Sequence, residues 1–123
     1  MNSVLVDTSV WVDHFRHRNP ALVDLLEQDR VRVHPLIVGE IACGTPPLRN
    51  RTLADLRSLQ PTCEASIEEV IDWVDRESLY GAGCGLIDLL LLASALMTTG
   101  CTLWTLDKRL GGLAERFAVS YRC

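Results

Sequence analysis

Ser3-Val4-Leu5-Val6-Asp7-Thr8-Ser9-Val10-Trp11 decides the fold, because the hydrophobic pattern changes its period at Asp7. The run before Asp7 is short and continuous, as a strand covered on both faces requires. Asp7, Thr8 and Ser9 each favour a helix start, and Val10 to Phe15 then follows helical spacing. A strand that feeds directly into a helix is an α/β signature, and here it leaves a carboxylate at the strand's carboxyl end.

The same alternation continues outward. Pro20 to Glu27 reads as a helix with Pro in its first turn, and Val31 to His34 as a second strand. Pro35 opens a helix over Leu36 to Ala42 that ends at Gly44, and a further helix runs from about Arg51 to Leu59. Pro61 to Cys63 is a weak extended piece. Ser66 and Glu69 form a capping-box pattern for a helix to about Leu79, with Ile67, Val70, Ile71 and Val74 expected on one face. Gly81, Gly83 and Gly85 precede a helix from Leu86 to Thr98 that is apolar nearly all round and therefore expected to be central and buried. Cys101 to Leu106 is the next strand, Asp107 starts a short helix to Phe117, and Ala118 to Tyr121 is expected as a final edge strand. The fold expected is α/β: a central, mostly parallel sheet of four to five strands with helices on both faces and right-handed crossovers. Ligands of such sheets bind beyond the carboxyl ends of the strands, where the strand order reverses.

A chain of 123 residues with this apolar content suits one domain over residues 1–123. The longest apolar stretch, Leu86 to Met97, is too short to cross a bilayer, and Asp7 and Asp13 arrive too early for a signal segment. A soluble cytoplasmic protein without a membrane partner is expected. The cysteines Cys43, Cys63, Cys84, Cys101 and Cys123 are odd in number and never spaced Cys-x-x-Cys, which reads as reduced thiols. His14, His17 and His34 receive no role. The formal charge of −4 looks wrong for a nucleic-acid protein, yet two divalent cations held by the chain's acids would cancel it.

The acids with the most apolar company are Asp7, Glu40, Asp88 and Asp107. Each has an ordinary explanation when taken singly. Asp7 and Asp107 precede helices and can cap them, Asp88 lies in a first turn where the helix dipole favours negative charge, and Glu40 can be solvated. Capping does not require the four to converge, whereas a parallel sheet can gather all of them in one pocket. Clustered carboxylates repel, and an oxygen-rich cluster is what Mg²⁺ or Mn²⁺ prefers. Thr8, Ser9 and Thr105 flank the strand-end acids as candidate supports, with cap or strand-edge roles as the alternative. Arg49, Arg51, Lys108 and Arg109 are the basic residues placed to meet phosphate, with ordinary surface charge as theirs.

At these residues the chain resembles the PIN-domain nucleases, and within them the VapC toxins of bacterial toxin-antitoxin modules. The resemblance rests on Val6-Asp7-Thr8-Ser9-Val10-Trp11, Glu40-Ile41-Ala42-Cys43-Gly44, the Gly81-to-Asp88 loop running on to Leu92-Ala93-Ser94-Ala95, and Leu103-Trp104-Thr105-Leu106-Asp107-Lys108-Arg109-Leu110. It implies a three-layer PIN-like fold, an acidic quartet at Asp7, Glu40, Asp88 and Asp107 acting as metal ligands and catalytic groups, and Mg²⁺-dependent endoribonuclease activity. It also implies a VapB-like protein antitoxin and a homodimer. One departure is that Leu89 and Leu90 follow Asp88 where many relatives carry a small residue and a His. The antitoxin is expected near the first two helices, on the apolar positions Trp11, Phe15, Leu22 and Leu26.

Three other readings compete. A stand-alone PIN nuclease would share the chemistry without the antitoxin. A phosphatase with Asp7 as nucleophile would want a second acid two residues on, and Ser9 stands there. A binding module that keeps the fold without catalysis would be favoured by loss of an acid, and none is lost.

Overall fold

The computed structural model describes residues 2–122. Its elements are β1 (Ser3–Val6), α1 (Thr8–His17), α2 (Pro20–Glu27), β2 (Val31–Val33), α3 (Pro35–Ala42), α4 (Arg49–Arg57), β3 (Gln60–Pro61), α5 (Ile67–Glu77), α6 (Leu86–Met97), β4 (Cys101–Trp104) and α7 (Lys108–Arg116). The strands form one four-stranded parallel sheet in the order β3-β2-β1-β4. Among the described residues the cysteines Cys43, Cys63, Cys84 and Cys101 are free thiols, and Cys123 lies outside the described residues.

The strand order reverses at β1. The chain steps from β1 to β2 to β3 on one side and then returns to add β4 on the other. The crevice between the carboxyl ends of β1 and β4 is therefore the place where an α/β sheet opens a binding site. Every residue of β1 is buried, which explains its unbroken apolar run.

Helix α6 is apolar all round because it serves two cores. Leu91, Leu92 and Ala95 join the cluster built on β1 and β4, while Leu89, Leu90 and Ala93 join Val70 and Leu79 against α5. Only its middle is buried; Leu86, Ile87, Leu96 and Met97 are exposed at its two ends.

Two polar pegs fasten the β3-to-α5 connection to this helix. Ser94 Oγ accepts from the Ala65 N–H at 3.1 Å and donates to the Leu90 carbonyl at 2.8 Å. Thr98 Oγ1 accepts from the Cys63 N–H at 2.9 Å and donates to the Ser94 carbonyl at 2.8 Å. Ala65 is buried and Cys63 is exposed, so only the first N–H has no water to turn to. Ser94→Ala is accordingly expected to cost about 2 kcal/mol of stability and to exceed the loss from Thr98→Ala. Urea unfolding of the two variants checks the order, and equal or reversed losses would refute the peg argument.

Some expectations need correction. Ala118 to Tyr121 is not a strand: Leu103 exchanges hydrogen bonds with Val119 and Tyr121, leaving an isolated parallel bridge at Ser120. The chain turns at Ala118 through a positive φ of 58° directly after α7, so pairing begins late. Ile67 and Ile71 do not face inward; they are 54 % and 47 % exposed, and α5 buries Val70 with Trp73 and Val74 packed beside it. The capping box of Ser66 and Glu69 is present as the spacing predicts.

Candidate active site

Asp7 stands at the carboxyl end of β1 and is only 8 % exposed. The pairing of Val6 with Trp104 puts Thr105 beside it on the neighbouring strand. Ser9 Oγ donates to Asp7 Oδ2 at 2.7 Å, and Thr105 Oγ1 donates to the same oxygen at 2.8 Å. Each hydroxyl also accepts a backbone N–H, Ser9 from Leu106 at 3.0 Å and Thr105 from Asp107 at 3.1 Å. Each hydroxyl thus accepts one N–H while its single proton points to the carboxylate, and the two oxygens lie 3.4 Å apart. Asp7 accepts no capping bond on its side chain, although it occupies the N-cap position of α1. The helix-cap explanation therefore fails for Asp7.

For Asp107 that explanation holds in half. Oδ1 accepts from the N–H groups of Arg109 and Leu110 at 2.9 and 3.0 Å, which caps α7. Among the described residues no hydrogen bond engages the second oxygen, and the residue is exposed. Glu40 projects from α3 and is also exposed; its Oε1 accepts from Thr8 Oγ1 at 2.8 Å, which ties α3 to the start of α1.

Asp88 lies in the first turn of α6, behind the glycine loop. Its carboxyl is held above the ordinary carboxylate range, first by burial and then by the negative charges of Asp7, Asp107 and Glu40, against a backbone hydrogen bond from Gly85. One group thus feels all three of the other acids. A divalent ion among these acids would reverse the sign of that repulsion. Among the described residues no three Asp, Glu, His or Cys side chains stand in a ready-made metal cage. The donor set still fits Mg²⁺, which takes one or two carboxylates and keeps several of its waters.

The basic candidates are placed unequally. Arg49 Nη2 donates to the Ala42 carbonyl at 2.6 Å, so that side chain is engaged at the end of α3. Arg51 is exposed on α4, and Lys108 and Arg109 open α7 beside Asp107. Arg109 lies over the glycine loop: a Cβ at Gly83, whose φ is +86°, would come within 2.8 Å of its Cδ. Cys84, half-buried in the same loop, has its thiol pushed up by burial and by Asp88 and Asp107, with Arg109 opposing. Nothing in the sequence singled out Cys84.

The histidines lie apart from the acids. His14 Nδ1 accepts from the Asn19 N–H, His17 meets Asp13 at 3.6 Å, and buried His34 caps α3 through Leu36. The apolar surface expected on the first two helices is largely internal. Trp11 and Leu22 belong to the core and Phe15 and Leu26 pack partly against it, leaving a cavity of about 200 Å³ between α1, α2 and α4. A docking groove built on Trp11 is corrected accordingly.

A second cavity, of about 410 Å³, adjoins the acids and is lined by Thr8 and Glu40 together with Val12, Phe15, Arg16 and Ile41. Arg16 escaped the sequence reading, although it shares one face of α1 with Thr8 and Val12 by its spacing.

Comparison with known proteins agrees with this architecture. The model of the PIN domain matches residues 4–116. Ribonuclease VapC32 of Mycobacterium tuberculosis, from two strains, is 41 % identical over 107 residues, which covers 87 % of this chain and 86 % of that one. The crystal structure of PAE2754 from Pyrobaculum aerophilum superposes with a TM-score of 0.60 over 95 % of this chain and 90 % of that one, at 17 % identity, which speaks for the fold alone.

Proposed function

The chain belongs to the PIN-domain family, and we propose that it is a VapC-type toxin, an endoribonuclease that hydrolyses RNA phosphodiester bonds with Mg²⁺ at its acidic site. The observation that carries the reading is Asp88, raised by burial and by the three other acids together. Capping explains Asp107 in part, but it leaves that convergence, and the uncapped Asp7, without a purpose.

Asp7, Asp88 and Asp107 would hold the metal, directly or through water, and Glu40 would join them or orient the attacking water. Bound there, Mg²⁺ or Mn²⁺ supplies a water of lowered pKa and positive charge for the scissile phosphate. The chain's own contribution is positioning. Ser9 and Thr105 fix Oδ2 of Asp7 and, among the described residues, leave Oδ1 without a hydrogen bond, while Thr8 holds one oxygen of Glu40. Lys108 and Arg109, beside Asp107, are placed to meet phosphate, as is exposed Arg51; Arg49 would have to leave the Ala42 carbonyl to do so.

The biological partners follow from the same reading: cellular RNA as substrate, a VapB-like antitoxin that places a basic side chain among the acids, and a homodimer. Among the described residues no helix is long and apolar enough to cross a membrane, in keeping with a cytoplasmic site of action. The test is cleavage of total RNA by the purified protein. Fragmentation that requires Mg²⁺ or Mn²⁺ and stops with EDTA is expected, whereas intact RNA at every metal concentration would sink the proposal.

A further inference from the structure

We propose that the cavity beside Glu40 is the subsite for the nucleotide that flanks the scissile phosphate, with Arg16 as its phosphate-binding residue; the inference rests on the ribonuclease reading above. The cavity meets the acidic site at Glu40, which lines it together with the Thr8 that holds it. Its volume of about 410 Å³ lies within the range of about 300–1,000 Å³ usual for sites that take a small organic group. Val12, Phe15 and Ile41 make an apolar side suited to the face of a base, and Pro46 and Pro47 stand at its rim.

Arg16 gives the cavity its charge preference. It is exposed and, among the described residues, makes no hydrogen bond or ion pair. It sits two turns along α1 from Thr8, about 12 Å by helical rise, which places it beside the scissile group and not on it. A free guanidinium there attracts a phosphate oxygen and repels the basic side chain that an antitoxin would bring. The arrangement therefore favours RNA over a basic peptide as the occupant.

The test compares Arg16→Gln and Arg16→Lys with Arg18→Gln, a control that removes equal charge from the same helix end but outside the cavity, where Arg18 acts on His14. Binding of a short mixed-sequence oligoribonucleotide is followed by fluorescence anisotropy across a salt series, alongside cleavage of total RNA. Arg16→Gln is expected to weaken binding roughly tenfold and to reduce the slope of log K against log salt by about 0.7. Arg16→Lys should restore the salt slope but not the full affinity, and Arg18→Gln should change neither. Wild-type protein that neither binds nor cleaves RNA would sink the ribonuclease reading itself. Wild-type protein that does both, with Arg16→Gln matching it in affinity and slope, would overturn the subsite alone. Loss of antitoxin binding in Arg16→Gln with RNA binding unchanged would assign the cavity to the protein partner and likewise overturn it.

Discussion

Asp7→Asn is expected to lower metal-dependent RNA cleavage by about a thousandfold or more, while Asp13→Asn stays within about twofold of wild type. Both changes remove one negative charge from the same stretch at nearly constant volume. They differ in surroundings: Asp7 is buried among the site's hydroxyls, whereas the Asp13 side chain is 40 % exposed and meets His17 at 3.6 Å. Removing a ligand from a catalytic metal forfeits several kcal/mol of transition-state stabilisation, and about 4 kcal/mol corresponds to a thousandfold.

The folded state should survive the first change. An amide oxygen at the position of Oδ2 still accepts from Ser9 and Thr105, and loss of the charge relieves part of the repulsion on Asp88. Cleavage of total RNA with Mg²⁺, with circular dichroism as the check on folding, separates the two variants. Full activity in a folded Asp7→Asn protein would falsify the assignment of Asp7 to the metal.

The second large effect is stabilisation by the cation. Mg²⁺ or Mn²⁺ at about one hundred times its dissociation constant is expected to add roughly 2.7 kcal/mol, because the acids are gathered only in the folded chain. For a domain of this size that is a rise in Tm of roughly 10 °C. Asp88→Asn should abolish the rise and lift the metal-free Tm, since it removes the charge that the fold penalises.

The pH dependence has a definite sign. An acid whose folded pKa lies above its unfolded value destabilises the metal-free fold at neutral pH, and the penalty lifts as pH falls through the folded value. Metal binding needs the ionised form, so the metal-induced rise should shrink on acidification before ordinary carboxylates titrate. Differential scanning fluorimetry with and without EDTA across a pH series measures both trends. A Tm that ignores the metal at neutral pH would remove the case for the site.

Local physics was legible in the chain. The Ser66 and Glu69 capping box spans four residues, and Pro20 and Pro35 occupy first helical turns, so the sequence carries those signals whole. The helix over Leu86 to Met97 declared itself by being apolar on every face, although only the structure shows that two cores claim it. Ile67 and Ile71 deceived because amphipathic spacing marks a face without saying how much of it a neighbour covers. Ala118 to Tyr121 has strand composition, but strand pairing is a long-range event, and here it amounts to one bridge.

The sequence by itself determined an α/β chain with carboxylates at the ends of its strands and helices, because hydrophobic period, caps and turn residues act over a few positions. The tertiary structure alone decided what those carboxylates feel. Thr105 reaches Asp7 across the β1–β4 pairing, Thr8 reaches Glu40 across two helices, and Asp88 is raised first by burial and then by the charges of Asp7, Asp107 and Glu40. Arg49 and Arg16 show the same division. Equal charges in the sequence, one is engaged by a helix-end carbonyl and the other, without a partner among the described residues, shares a cavity with Glu40. Electrostatic and hydrogen-bond energies depend on distances between atoms, and sheet register and helix packing set those distances.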